Sequence, residues 1–321
     1  MTERGGGTAP TAPPRLVLIA SENNTLVPPR DLGGLVDMAV HAEAAGFDAV
    51  MVSEHIALGP GADAEGRPEN PRDYALPRNQ DPATPWPDAL VLLSAIAAAT
   101  SRVRIVASSI IAPLRHPILL AKQLATLDLL SEGRLVVQPT VSWHRPEYDA
   151  LGVAFERRGE LLDEHLEAWG VLWRDSPASF DGRHYRFADV WLEPKPFRTG
   201  GPALWFGGEH LHDRLLRRLV EFGSGFNPLG APTDEELERL RIALVAAGRD
   251  AAELEMVGGT RGRFPSATSV ADLEEALATI PAQLERGFTT ICIKPSQFID
   301  DPAAIGDWCR DVVERVAALA V

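Results

Sequence analysis

The chain has 321 residues, 45% hydrophobic and 24% charged, which is enough apolar material for a large core. Its formal net charge of -14 argues against non-specific binding to nucleic acid or an anionic membrane surface, both of which need a positive field. No apolar run approaches the roughly 18 residues of a membrane span. Two cysteines, Cys292 and Cys309, are too few for a disulfide framework and fit a reducing compartment. The opening MTERGGGTAPTAPPR lacks a signal-like apolar stretch. Residues 1–14 therefore read as a disordered lead-in and 15–321 as one cytoplasmic domain.

Residues 16–20 (LVLIA) form a continuous apolar run, as expected of a strand covered on both faces. Asp31 caps a helix that Gly46 ends, and 48–53 is the second strand, with Glu54 and His55 at its end. From 57 to 87 the chain is rich in Gly, Pro, Asp and Arg and reads as a long functional loop. A helix over 88–100 leads to a β-branched strand at 103–111, interrupted by Ser108 and Ser109. His116 and Pro117 open the next helix, and Gly133 releases a fourth strand at 135–137. An irregular insertion at 141–159 precedes a helix over 160–173, and 180–196 reads as a β-hairpin turning at Asp181-Gly182. Strands at 203–206, 224–228, 254–258 and 289–293 then alternate with helices over 210–222, 233–247, 269–287 and 302–320. Eight strands each followed by a helix predict a (β/α)8 TIM barrel, with insertions after strands two and four and before strand five. No Gly-x-Gly-x-x-Gly turn follows the first strand, which argues against a doubly wound sheet.

In such a barrel, chemistry gathers where the strands end. His55 is the leading acid–base candidate, because an imidazole titrates near working pH; it could also simply cap its strand. Glu54, its neighbour, points the other way along a strand and is expected to be structural. Ser108 and Ser109 either admit a flat ligand close to the backbone or bond to nearby carbonyls. Gly207, Gly208, Glu209 and His210 open a predicted helix directly after a strand, an arrangement that suits an anion. Arg261, Arg263 and Lys294 follow the last two strands and point to an anionic ligand or to surface ion pairs. His210 and His212 lie two apart and share no helix face, so no metal is expected. Neither serine sits in a nucleophile elbow.

The segments AEAAGFDAVMVSEH, AAATSRVRIV, PLRHPILLAKQLATLDLLSEGRLVV, ALGVAFERRGELLDEHLEAW, PKPF and ALWFGG occur in that order. On them the chain resembles the luciferase-like monooxygenase superfamily of flavin- and deazaflavin-dependent barrels. The resemblance implies a non-prolyl cis peptide at Ser108-Ser109 beneath a planar cofactor ring, His55 near its reactive edge, and a phosphate held at Gly207, Gly208, Glu209 and His210. It also implies a homodimer. Where many members carry a Gly-rich turn after strand four, this chain has Gln138-Pro139-Thr140. Pro139 offers no backbone donor, which leaves the side chains of Gln138 and Thr140 for a cofactor contact.

The resulting expectation is an oxidoreductase that uses coenzyme F420 to move a hydride to or from a small organic substrate. Arg261, Arg263 and Lys294 would receive the cofactor's anionic tail, and Trp143 and His144 would wall the substrate. The alternatives are an FMN-dependent monooxygenase using dioxygen and a barrel that binds a cofactor or metabolite without catalysis.

Overall fold

The computed structural model describes residues 13–319, so the lead-in expected at 1–14 falls almost wholly outside the described residues. The strands and helices are, in chain order, β1 (Arg15–Ile19), α1 (Leu32–Ala45), β2 (Ala49–Val52), α2 (Ala89–Ala99), β3 (Arg104–Ile111), α3 (Pro117–Leu130) and β4 (Leu135–Thr140). There follow α4 (Arg145–Ala150), α5 (Arg158–Arg174), the antiparallel pair β5 (Ala178–Asp181) and β6 (Arg186–Val190), β7 (Ala203–Phe206), α6 (Asp213–Phe222) and β8 (Gly225–Phe226). The chain ends with α7 (Asp234–Ala246), β9 (Glu255–Gly259), α8 (Leu273–Leu277), α9 (Ile280–Glu285), β10 (Thr290–Ile293) and α10 (Ile305–Ala318). All strands but β5 and β6 close into one parallel barrel in the order β1-β10-β9-β8-β7-β4-β3-β2. This is the predicted (β/α)8 barrel, with the excursions where they were expected. No helix among the described residues is long and apolar enough to cross a membrane.

Side-chain alternation divides the core. Val17, Met51, Val106, Val136, Trp205 and Val257 fill the barrel interior. Their neighbours Leu18, Val50, Ile105, Leu135 and Phe206 face outward into the layer beneath the helices. Residues that open their strands plug the N-terminal end. Arg104 donates to both oxygens of Glu255 at 2.7 and 2.8 Å, Thr290 donates to the same carboxylate, and the Arg104 guanidinium lies over Trp205. Burial works against charge on Glu255, but the bonds from Arg104 and Thr290 outweigh it and hold its carboxyl below the usual range.

Five local expectations are corrected. The helix expected from His210 starts at Asp213, because the His212 side chain caps it by accepting the Leu215 N–H. Gly207 to His210 therefore form a loop, and they are not the helix N-terminus that the anion argument assumed. The helix expected over 269–287 begins after the cap Asp272 and divides into α8 and α9, where Pro281 lacks an N–H to continue the ladder. The insertion after β4 is partly ordered as α4, with Pro146 in its first turn. Finally, β4 runs on through Gln138 and Pro139 to Thr140, and the hairpin closes at Val190 ahead of Pro194 and Pro196.

Candidate active site

A cavity of about 1520 Å³ occupies the C-terminal mouth of the barrel. His55, Ser108, Ser109, Gln138, Thr140 and Trp143 line it, as do Gly207, Gly208, Glu209, His210, Arg261 and Arg263. The barrel thus brings residues from β2, β3, β4, β7 and β9 to one place.

At the centre, the Ser108-Ser109 peptide is cis, as the family resemblance implied. Three strand ends are joined beside it. Ser108 Oγ donates to Gln138 Oε1 at 2.8 Å, and Asn227 Nδ2 donates to the same oxygen at 2.8 Å. Gln138 is therefore tied by its carbonyl end, while its Nε2 makes no hydrogen bond among the described residues. Asn227 escaped the sequence argument because β8 is only two residues long. It is also why position 207 is glycine: an added Cβ there would stand 1.8 Å from the Asn227 carbonyl oxygen. Thr140 Oγ1 accepts from the Ser142 N–H at 3.5 Å, and Glu209 and His210 stand exposed on the rim.

His55 has a partner that the sequence argument missed. Its Nδ1 lies 3.2 Å from Oε2 of Glu147, whose side chain is wholly buried. The other oxygen of Glu147 accepts the backbone N–H groups of Ile56 and Ala57. Trp86 and Trp143 meet the imidazole edge-on, with ring centroids 5.3 and 5.8 Å away. Glu54 turns away, as expected, and takes both terminal nitrogens of Arg115 together with the Ile111 N–H.

Two expected pocket residues face elsewhere. His144 is buried outside the cavity lining, and its Nε2 accepts the Gly59 N–H at 2.8 Å. Lys294 is fully buried against the roof, its Nζ 3.1 Å from the Asp73 carbonyl oxygen and 3.6 Å from Glu22 Oε2, and burial pulls its pKa down. Arg261 pairs with Asp73 at 2.7 Å and Arg263 with Glu275 at 3.1 Å. The positive charge expected for an anionic ligand at this rim is taken up within the protein.

These contacts secure the long loop after β2 as a roof. Asn70 donates to the carbonyls of Ser266 and Ser269, Arg72 pairs with Asp300, Tyr74 Oη donates to Thr260 O at 2.9 Å, and the Ala75 N–H reaches Glu22. Leu76, Pro77, Gln80 and Trp86 of the same loop line the cavity.

Another cation, which sequence reasoning missed, also lines the cavity. Arg158, the first residue of α5, lines the cavity, stacks 3.7 Å over Phe155 and makes no ion pair among the described residues. Its Nε is buried without a hydrogen-bond partner. An arginine opening a helix opposes the helix dipole, and that was the legible signal.

Fold and site together define a barrel with a sizeable cavity at its C-terminal mouth, with a histidine bonded to a buried carboxylate at one side and, at another, a guanidinium without an ion pair among the described residues. The family model described as luciferase-like monooxygenase matches residues 15–308, and the chain belongs to that family of oxidoreductases. It is 35% identical over 213 residues to an uncharacterized protein of Mycobacterium tuberculosis, spanning 65% of this chain and 73% of that one. It is 32% identical over 124 residues to the FMNH(2)-dependent dimethylsulfone monooxygenase of Pseudomonas putida, spanning 38% of this chain and 34% of that one. Among solved structures, an F420-dependent secondary alcohol dehydrogenase in complex with an F420-acetone adduct superposes with a TM-score of 0.70 at 17% identity. The match covers 95% of this chain and 99% of that one, and at that identity the likeness is one of fold.

Proposed function

We propose that this protein moves a hydride between reduced coenzyme F420 and a small organic substrate. The observation that carries the reading is His55, bonded to a buried carboxylate and opening onto the cavity that the Ser108-Ser109 peptide also lines. When bound, the deazaflavin supplies the hydride chemistry. The chain's own residues bind, orient and exclude water. Ser108, Ser109 and the Nε2 of Gln138 would receive the ring. The Gly207-Gly208 loop and the guanidinium of Arg158 would receive the phosphate. His55 would give or take the proton that accompanies hydride transfer. Trp86, Trp143 and Leu76 give the histidine's side of the cavity an apolar wall, which favours an uncharged substrate.

An FMN-dependent monooxygenase using dioxygen is the second reading. It is favoured because Arg261, Arg263 and Lys294 are already paired and leave little for a polyanionic tail. Side-by-side fluorescence titrations with F420 and FMN test the two. Saturable binding of F420 with turnover that consumes no oxygen is the expected result. Preference for FMN with stoichiometric oxygen uptake would establish the second reading, and saturable binding without turnover over a broad substrate panel would leave a non-catalytic binding barrel. Arg158→Ala is expected to weaken binding of whichever phosphate-bearing cofactor is preferred by about tenfold or more, the loss of a charge-assisted contact, with little change in Tm. An unchanged Kd would remove Arg158 from the site.

A further inference from the structure

A buried carboxylate survives in the apolar interior only when charge or hydrogen bonds compensate it. Glu147 has both. Two backbone N–H groups satisfy Oε1, and among the described residues His55 is its one ion-pair partner. A carboxylate only accepts, so the proton of the shared bond belongs to His55 Nδ1 and Nε2 is left to the cavity.

The other titratable groups around His55 contribute no competing charge. His144 accepts a backbone N–H at Nε2, which makes it a neutral imidazole, and burial lowers its pKa further. Glu54, on the same strand end, is neutralised by Arg115. On the roof, Asp73 is bonded to Arg261 and Glu69 is exposed, while Glu22 faces Lys294. Trp86 and Trp143 supply only ring edges. The segment leading into α4 therefore braces the start of the loop at three successive points, with Trp143 against His55, His144 on Gly59 and Glu147 on 55–57.

We propose that Glu147 is a positioning residue, holding His55 with its proton on Nδ1 and presenting Nε2 to the cavity as the atom that exchanges a proton with substrate. The catalytic half of this inference rests on the role of His55 proposed above; the structural half does not.

Nitrogen-15 NMR of the histidines in the ligand-free protein tests it. In the wild type, neutral His55 is expected as the Nδ1–H tautomer. In Glu147→Gln the amide oxygen can still serve Ile56 and Ala57, but the amide NH2 faces Nδ1. His55 is then expected to switch to the Nε2–H tautomer. In turnover assays Glu147→Gln is expected to lose about 10²-fold or more in kcat, with KM little changed. Glu147→Asp, which keeps the charge, is expected to recover the wild-type tautomer. An Nε2–H tautomer in the wild type overturns the proposal even if no variant folds. An identical tautomer in wild type and Glu147→Gln overturns it as well. If the tautomer switches while His55→Ala leaves turnover intact, the brace stands and the proposed role of His55 falls.

Discussion

Gly207→Ala is expected to abolish cofactor binding, raising Kd beyond the titration range, and to lower stability by roughly 1–3 kcal/mol, the usual cost of overpacking a tight site. The added methyl would meet the Asn227 carbonyl oxygen at 1.8 Å and Gln138 Nε2 at 2.8 Å. Neither neighbour is free to retreat. Asn227 N–H donates to Phe206 O at 2.9 Å, and the Asn227 side chain is half of the bond pair that fixes Gln138 beside Ser108. The ends of β7 and β8 would have to part, and the Ser108–Gln138–Asn227 junction with them. Gly208→Ala is the control for the clash and for stability, since its Cβ would meet the movable end of Leu215 at 3.3 Å and the His210 carbonyl oxygen at an ordinary 3.7 Å. Thermal melts and cofactor titrations on both variants check this. Normal binding by Gly207→Ala would show that the junction is not part of the ligand site.

His55→Ala is expected to bind cofactor normally yet lose about 10²- to 10⁴-fold in turnover, the usual contribution of a positioned proton-transfer group. The two halves are separable because the expected cofactor contacts come from β3, β4, the loop after β7 and the start of α5, whereas His55 reaches the cavity from β2. Steady-state kinetics and binding measured together decide it. A variant with wild-type turnover would exclude His55 from proton transfer and favour the monooxygenase reading.

The strand ends were legible because most barrel strands are short apolar runs closed by a polar or glycine turn, and that pattern located His55, Ser108 and Gly207. The placement of the cis peptide came from family motifs, since neither serine carries a backbone signal of its own. Glu147 was hidden for a different reason. It meets His55 across 92 positions, from a six-residue helix too short to show periodicity. Asn227 lay just beyond a strand too brief to trust. Arg261, Arg263 and Lys294 were visible as cations, but their partners Asp73, Glu275 and Glu22 could not be assigned from sequence, and Asp73 meets Arg261 only because the roof folds back over the barrel. The anion loop was misjudged because a histidine, His212, serves as helix cap where a Ser, Thr, Asp or Asn is the usual sign.

The roof is also built in two parts. The tethers across the barrel mouth fall within residues 70–75, with Gly59 held separately by His144, while Leu76, Pro77, Gln80 and Trp86 face inward. Asn70, Asp73, Tyr74 and Ala75 line the cavity as well, so the first stretch both anchors and lines, and the adjoining stretch lines without carrying one of these tethers. A descendant of this protein could exchange the second stretch for another and meet a new substrate without loosening the first. The same division marks residues 76–86 as the interval to randomise when the substrate range is to be changed by design.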